Sequence, residues 1–60
     1  MFSYIDVLVA DYKALCRAFA RNPIFAYSDE LEKASARLIA EGYTWEQLEL
    51  LEFEAYEEVA

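Results

Sequence analysis

The chain contains no histidine and one cysteine, Cys16, among its 60 residues. A single thiol cannot form a disulfide within the chain, and without histidine the usual zinc ligand sets cannot be assembled. Cys16 also has no imidazole to activate it, so it is expected to be a small core residue and not a nucleophile. The only glycine is Gly42, which leaves no glycine-rich phosphate loop. We therefore expect no metal ion, no cofactor and no catalytic residue, and the protein is predicted not to be an enzyme.

Long apolar runs are also lacking. Asp6, Asp11, Lys13 and Arg17 interrupt the apolar first third of the chain, so no stretch approaches the ~18–20 apolar residues that a membrane span requires. No basic segment precedes an apolar core, as it would in a secretory signal peptide. These features predict no membrane association and a cytoplasmic location, and a lone unpaired cysteine agrees with a reducing compartment.

Apolar side chains are abundant for so short a chain, with 58% hydrophobic and 17% aromatic residues. A domain of this size buries only ~60% of the surface that its unfolded chain exposes. The chain therefore has more apolar surface than one small core can cover. We expect a single all-helical domain over residues 1–60 that is completed by a second copy, as a homodimer, or by another protein partner.

Hydrophobic spacing predicts an all-α helical bundle. Apolar residues recur at spacings of three and four in an amphipathic helix over about residues 2–21, and Asn22-Pro23 ends it because the residue before proline avoids the α region. Ser28 is the expected N-cap of a second helix over about residues 28–41. The apolar linker over residues 24–27 is expected to lie over the core.

Residues 42–47 are predicted to end the second helix and to start the third within one sharp corner. Gly42 is expected to adopt a left-handed conformation that ends the second helix, with Tyr43 covering Leu38 in a Schellman motif. Thr44 and Gln47 match a capping box, in which each side chain caps the backbone of the other residue. The corner therefore predicts a sharp break between the second and third helices.

The third helix, predicted over about residues 44–59, carries six glutamates and no basic residue, so six of the seven net negative charges fall there. Like charges at helical spacing repel one another, and the basic residues expected to compensate them within the chain are Arg17, Arg21 and Arg37. The apolar surface of this helix is two-sided. Trp45 is expected to be a core residue, whereas Leu50 and Phe53 are expected to point away from the core.

The absence of basic side chains on the third helix argues against direct nucleic-acid binding, because its carboxylates would be repelled by phosphates. The function predicted from the sequence is instead that of a small regulatory protein that binds a protein partner. The alternative is an acidic mimic of nucleic acid that occupies the basic face of a DNA- or RNA-binding protein. The candidate interface residues are Trp45, Leu50, Phe53, Tyr56, Glu46, Glu49, Glu54 and Glu57.

The small size, the acidic composition and the run from Leu38 to Leu48, LIAEGYTWEQL, are the features on which a resemblance rests. Together they resemble the small accessory early-region proteins of lambdoid phages and prophages. This resemblance implies a protein of the host cytoplasm that binds a host factor and influences the choice between lysis and lysogeny. It assigns no role to any individual residue.

Overall fold

The computed structural model describes residues 3–59, which form three helices: α1 (Tyr4–Arg21), α2 (Phe25–Ala40) and α3 (Trp45–Val59). No strand occurs among these residues, so the predicted all-α helical bundle is confirmed. Both α2 and α3 pack along α1, whereas α2 and α3 barely touch each other. The central position of α1 leaves a cleft between the two outer helices.

A capping box starts α1. The Ser3 hydroxyl accepts a hydrogen bond from the Asp6 amide at 3.1 Å, and the Asp6 carboxylate accepts one from the Ser3 amide at 3.1 Å. These bonds satisfy two amides that no helical carbonyl can reach. The sequence predicted a start near Phe2, which lies outside the described residues, whereas the helical residues begin at Tyr4.

The start predicted for α2 at Ser28 is wrong. The helix begins at Phe25 with Ile24 as its N-cap, and no side chain caps it. The Ile24 carbonyl accepts hydrogen bonds from the amides of Tyr27 and Ser28 at 3.2 and 3.3 Å. The backbone of the apolar linker therefore forms the first helical turn, and this displaces Ser28 from the capping position. Phe25 remains 83% exposed, so the expectation that this segment lies over the core is also wrong.

The corner between α2 and α3 has the predicted geometry. Gly42 has a φ of +102°. The Tyr43 amide donates to the Leu38 carbonyl and the Gly42 amide to the Ile39 carbonyl, both at 3.0 Å, which is the bonding of a Schellman motif. Beyond it, the Gln47 amide donates to the Thr44 hydroxyl at 3.2 Å, and the Gln47 side-chain oxygen accepts from the Thr44 amide at 2.8 Å. Both cap predictions are confirmed.

The buried core is small and is built from all three helices. Its residues share the inward stripe of each helix, and their largest fully buried members are Leu38, Leu48 and Cys16. Cys16 is thus the small core residue that the sequence predicted. The complete buried set is Leu8, Tyr12, Cys16, Ala34, Leu38, Leu48 and Ala55. Because three of these side chains are alanine or cysteine, many larger apolar side chains remain at the surface.

Candidate protein-binding surface

The side of α3 that faces away from the core presents two large apolar side chains. Leu50 and Phe53 are each 63% exposed. They lie three residues apart, and at about 100° per residue they project opposite to the buried Leu48 and Ala55. The two-sided apolar pattern predicted for this helix is therefore present, and among residues 3–59 nothing covers its second side.

Three exposed glutamates surround this apolar pair. Glu46 lies seven residues before Phe53 and Glu57 seven residues after Leu50, so each shares the outward side of the helix, while Glu49 adjoins Leu50. None of the three forms an ion pair within residues 3–59. We define the outer face of α3 as the surface formed by Leu50, Phe53, Glu46, Glu49 and Glu57. It combines apolar surface with carboxylates that no cation in the described part of the chain compensates.

The other edge of α3 is joined to α1 by ion pairs. Lys13 Nζ lies 3.4 Å from Glu54 Oε2 and 3.0 Å from Glu58 Oε1, and Arg17 donates a hydrogen bond to Glu58 Oε2. The hydrogen bond with Glu58 is the main cause that raises the pKa of Lys13. The same bond lowers the pKa of Glu58, assisted by the charges of Lys13 and Arg17. Two of the six glutamates are therefore compensated within the chain.

These partners correspond only in part to those expected from the sequence. Arg17 is confirmed as a partner, but Arg21 and Arg37 form no ion pair with any described residue. Lys13 was missed as a partner, although it lies one helical turn before Arg17 and therefore on the same side of α1. Among the candidate interface residues, Glu54 is consequently engaged in an ion pair.

The two remaining candidates, Trp45 and Tyr56, differ in accessibility. Trp45 is 68% exposed, so the prediction that it is a core residue is wrong. It is the first residue of α3, and the inward side of that helix is occupied by Leu48 and Ala55 instead. Tyr56 is partly buried against the core. Burial is the main cause that raises the pKa of Tyr56 to about 12.

A cleft lies between α2 and α3 and has a volume of about 670 Å³. Its floor is formed by Tyr12 and Cys16 of α1, and Trp45 lies at its α3 edge. Burial raises the pKa of the Cys16 thiol to about 11, so the thiol is protonated at neutral pH. No pattern in the sequence predicts this cleft, because it arises from the divergence of two helices. The remaining lining residues are Ser28, Leu31, Glu32, Ser35, Ala36, Ile39, Ala40 and Glu52.

No group of three or more potential metal ligands occurs within the described part of the chain. None of the helices formed by residues 3–59 is both long enough and apolar enough to cross a bilayer.

Comparison of the chain with protein-family models, with curated proteins and with solved structures found no match. The resemblance to small lambdoid phage proteins thus stays a prediction from the sequence. Any functional assignment depends on the geometry and charge of the surfaces described above.

Proposed function

We propose that this protein is a non-enzymatic interaction protein. The outer face of α3 binds an apolar groove on the surface of a partner protein, and lysine or arginine side chains of the partner border that groove. The observation that carries this proposal is the exposed pair Leu50 and Phe53 beside three uncompensated carboxylates. An apolar centre with a charged border is the usual anatomy of a protein interface.

The two kinds of side chain have separate roles in binding. Full burial of an apolar side chain is worth ~1.5–3 kcal/mol, so Leu50 and Phe53 supply most of the affinity. The border carboxylates Glu46, Glu49 and Glu57 attract a basic partner, raise the association rate and disfavour acidic partners. Binding should therefore persist at high salt, with slower association.

The resemblance to lambdoid phage early proteins suggests which kind of partner to seek. Under that resemblance the protein acts in the host cytoplasm, and the partner is a host protein whose capture shifts development between lysis and lysogeny. The net charge of −7 supports a basic partner in particular.

The predicted homodimer is a competing use of the same apolar pair. Two outer faces placed together would bring the carboxylates of one copy against those of the other. Lys13 and Arg17, which could have offset this repulsion, already pair with Glu54 and Glu58. A basic partner therefore fits this face better than a second copy does. Light scattering on the wild type and on Phe53→Glu tests the homodimer directly.

The second candidate function is mimicry of nucleic acid, in which the carboxylates of α3 occupy the phosphate-binding face of a basic protein. It is favoured by the uncompensated Glu46, Glu49 and Glu57 at helical spacing along one surface. Mimicry depends on charge alone. It therefore predicts a steep loss of affinity with salt and little dependence on the apolar pair.

Affinity capture from host lysate, followed by titration of the purified captured protein, distinguishes the two functions. We expect Phe53→Ala to weaken binding about tenfold or more, which corresponds to ~1.4 kcal/mol. Phe25→Ala is the matched control, because Phe25 is also exposed but lies on α2. Replacing Glu46, Glu49 and Glu57 together by glutamine should mainly slow association.

The opposite pattern would support mimicry. If Phe53→Ala binds like the wild type while the triple glutamine variant loses binding, the apolar pair has no role in recognition. If Phe25→Ala and Phe53→Ala are equally impaired, the outer face of α3 is not the binding surface.

A further inference from the structure

The cleft between α2 and α3 has the form of a bundle with one helix missing. Both outer helices pack on α1 and barely on each other, and the cleft between them is lined on the α1 side by Tyr12 and Cys16. In known helix-in-groove complexes, an amphipathic helix places its apolar side in such a groove between helices.

Four of the seven α2 residues that line the cleft have small side chains, and the other three are Leu31, Glu32 and Ile39. Ser28, Ser35, Ala36 and Ala40 all line it, and they repeat at helical spacing along α2. Small side chains permit the axis of a neighbouring helix to approach closely, toward the shorter end of the 8–10 Å range of packed helices. The α2 wall of the cleft is therefore suited to contact with another helix.

The charge of the cleft identifies the kind of helix. Glu32 on α2 and the partly buried Glu52 on α3 both line it, and neither forms an ion pair within residues 3–59. No lysine or arginine is found among the described residues that line the cleft. Two carboxylates, one on each wall, would be compensated by a helix that carries basic residues on both sides of its apolar stripe.

We infer that the cleft between α2 and α3 is a docking site for a basic amphipathic helix of a partner protein. The apolar stripe of that helix contacts Leu31 and Ile39, which line the cleft and are only partly buried, and its lysine or arginine side chains reach Glu32 and Glu52. Trp45, which is 68% exposed at the cleft edge, becomes buried against it. A second copy of this chain is a poor occupant because its net charge is also −7.

This site is distinct from the outer face of α3. Glu52 and Trp45 lie on the side of α3 toward the cleft, whereas Leu50 and Phe53 project away from the core. The inference therefore does not depend on the proposed function, and one set of variants can test the two surfaces separately.

The test uses the whole protein and a synthetic amphipathic helical peptide of leucine and lysine, with a leucine and glutamate peptide of the same pattern for comparison. Trp45 is the only tryptophan, so its fluorescence reports occupancy of the cleft. We expect a saturable change with the lysine peptide and none with the glutamate peptide. Glu52→Gln should weaken lysine-peptide binding several-fold, and Glu41→Gln, the same change at an exposed position that does not line the cleft, should leave it unchanged.

A steric variant supplies the matched control. Ala36→Arg fills the cleft from an exposed position on α2 and should weaken peptide binding about tenfold. Ala10→Arg makes the same charge change at an exposed position of α1 that does not line the cleft, and it should bind like the wild type. Circular dichroism verifies that each variant is folded, and Ala40→Arg replaces Ala36→Arg if the latter is not.

Several results would overturn the inference. Equal binding of the two peptides would remove the role of charge, and equal losses in Ala36→Arg and Ala10→Arg would remove the role of the cleft. Loss of binding in Phe53→Glu alone would assign the peptide to the outer face of α3, which supports the proposed function instead. A wild-type dimer that Ala36→Arg dissociates would identify the occupant as a second copy.

Discussion

Lys13 Nζ of α1 lies 3.0 Å from Glu58 Oε1 of α3, and this contact joins the basic side of the first helix to the last turn of the acidic helix. Arg17, one helical turn further along α1, donates to the other oxygen of the same carboxylate. Glu58 would otherwise be unfavourable at a helix C-terminus, where the helix dipole repels negative charge. The pairing with α1 compensates this local defect.

Protonation of Glu58 should therefore weaken the fold. Lys13 and Arg17 lower the pKa of Glu58 below its ordinary value of 4.5 in the folded chain. Its stabilising contribution is present above that ordinary value and is lost as the pH falls through the lowered pKa. We expect Glu58→Gln to lower the Tm at neutral pH and to match the wild type in strong acid.

Glu57→Gln is the control for this measurement, because Glu57 is exposed and unpaired within the described residues. It should leave the Tm nearly unchanged. Repulsion among the six glutamates of α3 would by itself make mild acid stabilising. For Glu58 we expect the reverse, because protonation of this carboxylate lowers the stability of the fold. Equal Tm values for Glu58→Gln and the wild type at neutral pH would contradict this expectation.

Gly42→Ala should destabilise the corner between α2 and α3. Gly42 has a φ of +102°, and a Cβ placed there would meet no atom within 4 Å. The cost therefore comes from backbone strain and not from a clash, and we expect ~1 kcal/mol, or a fall in Tm of ~4–8 °C for a domain of this size. Gly42→Asn should lose less, because asparagine tolerates positive φ better than alanine. Equal losses for alanine and asparagine would indicate a different cause.

Leu38→Ala and Leu50→Ala make the same chemical change at opposite extremes of burial. Leu38 is fully buried, and its truncation should cost ~2–5 kcal/mol because it leaves a cavity in the core. Leu50 is 63% exposed, and its truncation should change stability by no more than ~0.5 kcal/mol. Urea unfolding followed by circular dichroism measures both. A large loss for Leu50→Ala would mean that its side chain is covered in solution, as in a homodimer.

Cys16 should resist alkylation while the chain is folded. Burial raises the pKa of its thiol from 9.0 to about 11 and leaves only 1% of the residue exposed. A rise of that size lowers the thiolate fraction about 100-fold at neutral pH. We expect iodoacetamide to react slowly with the native protein and rapidly in urea, and faster with Leu38→Ala than with the wild type. Rapid reaction of the native wild type would show that the floor of the cleft is open to solvent.

The features that could be read from the sequence are those whose causes lie within a few residues. The turn at Gly42 and the capping box of Thr44 with Gln47 involve hydrogen bonds over three to five positions, so local pattern alone predicts them. The exposure of Leu50 and Phe53 could also be inferred, because helical periodicity places them opposite Leu48. The outer face of α3 was predictable for the same reason.

Other features were decided by how the helices pack. Ser28 is a good N-cap by residue type, yet α2 begins at Phe25. The backbone of residues 24–27, just before Ser28, already forms a helical turn. The apolar character of Trp45 favours burial, but smaller side chains fill the inward side of α3. Local propensity is a weak determinant where tertiary packing competes with it.

The residue types and their order along the chain thus determine three helices, the break at Gly42 and the acidity of α3. The pairing of Lys13 with Glu54 and Glu58, and the cleft above Tyr12 and Cys16, exist only in the folded chain. Both depend on the position of α1 between two helices that diverge from each other. Relative placement of helices is set by the fit of side chains far apart in sequence, and periodicity within one helix carries no information about that fit.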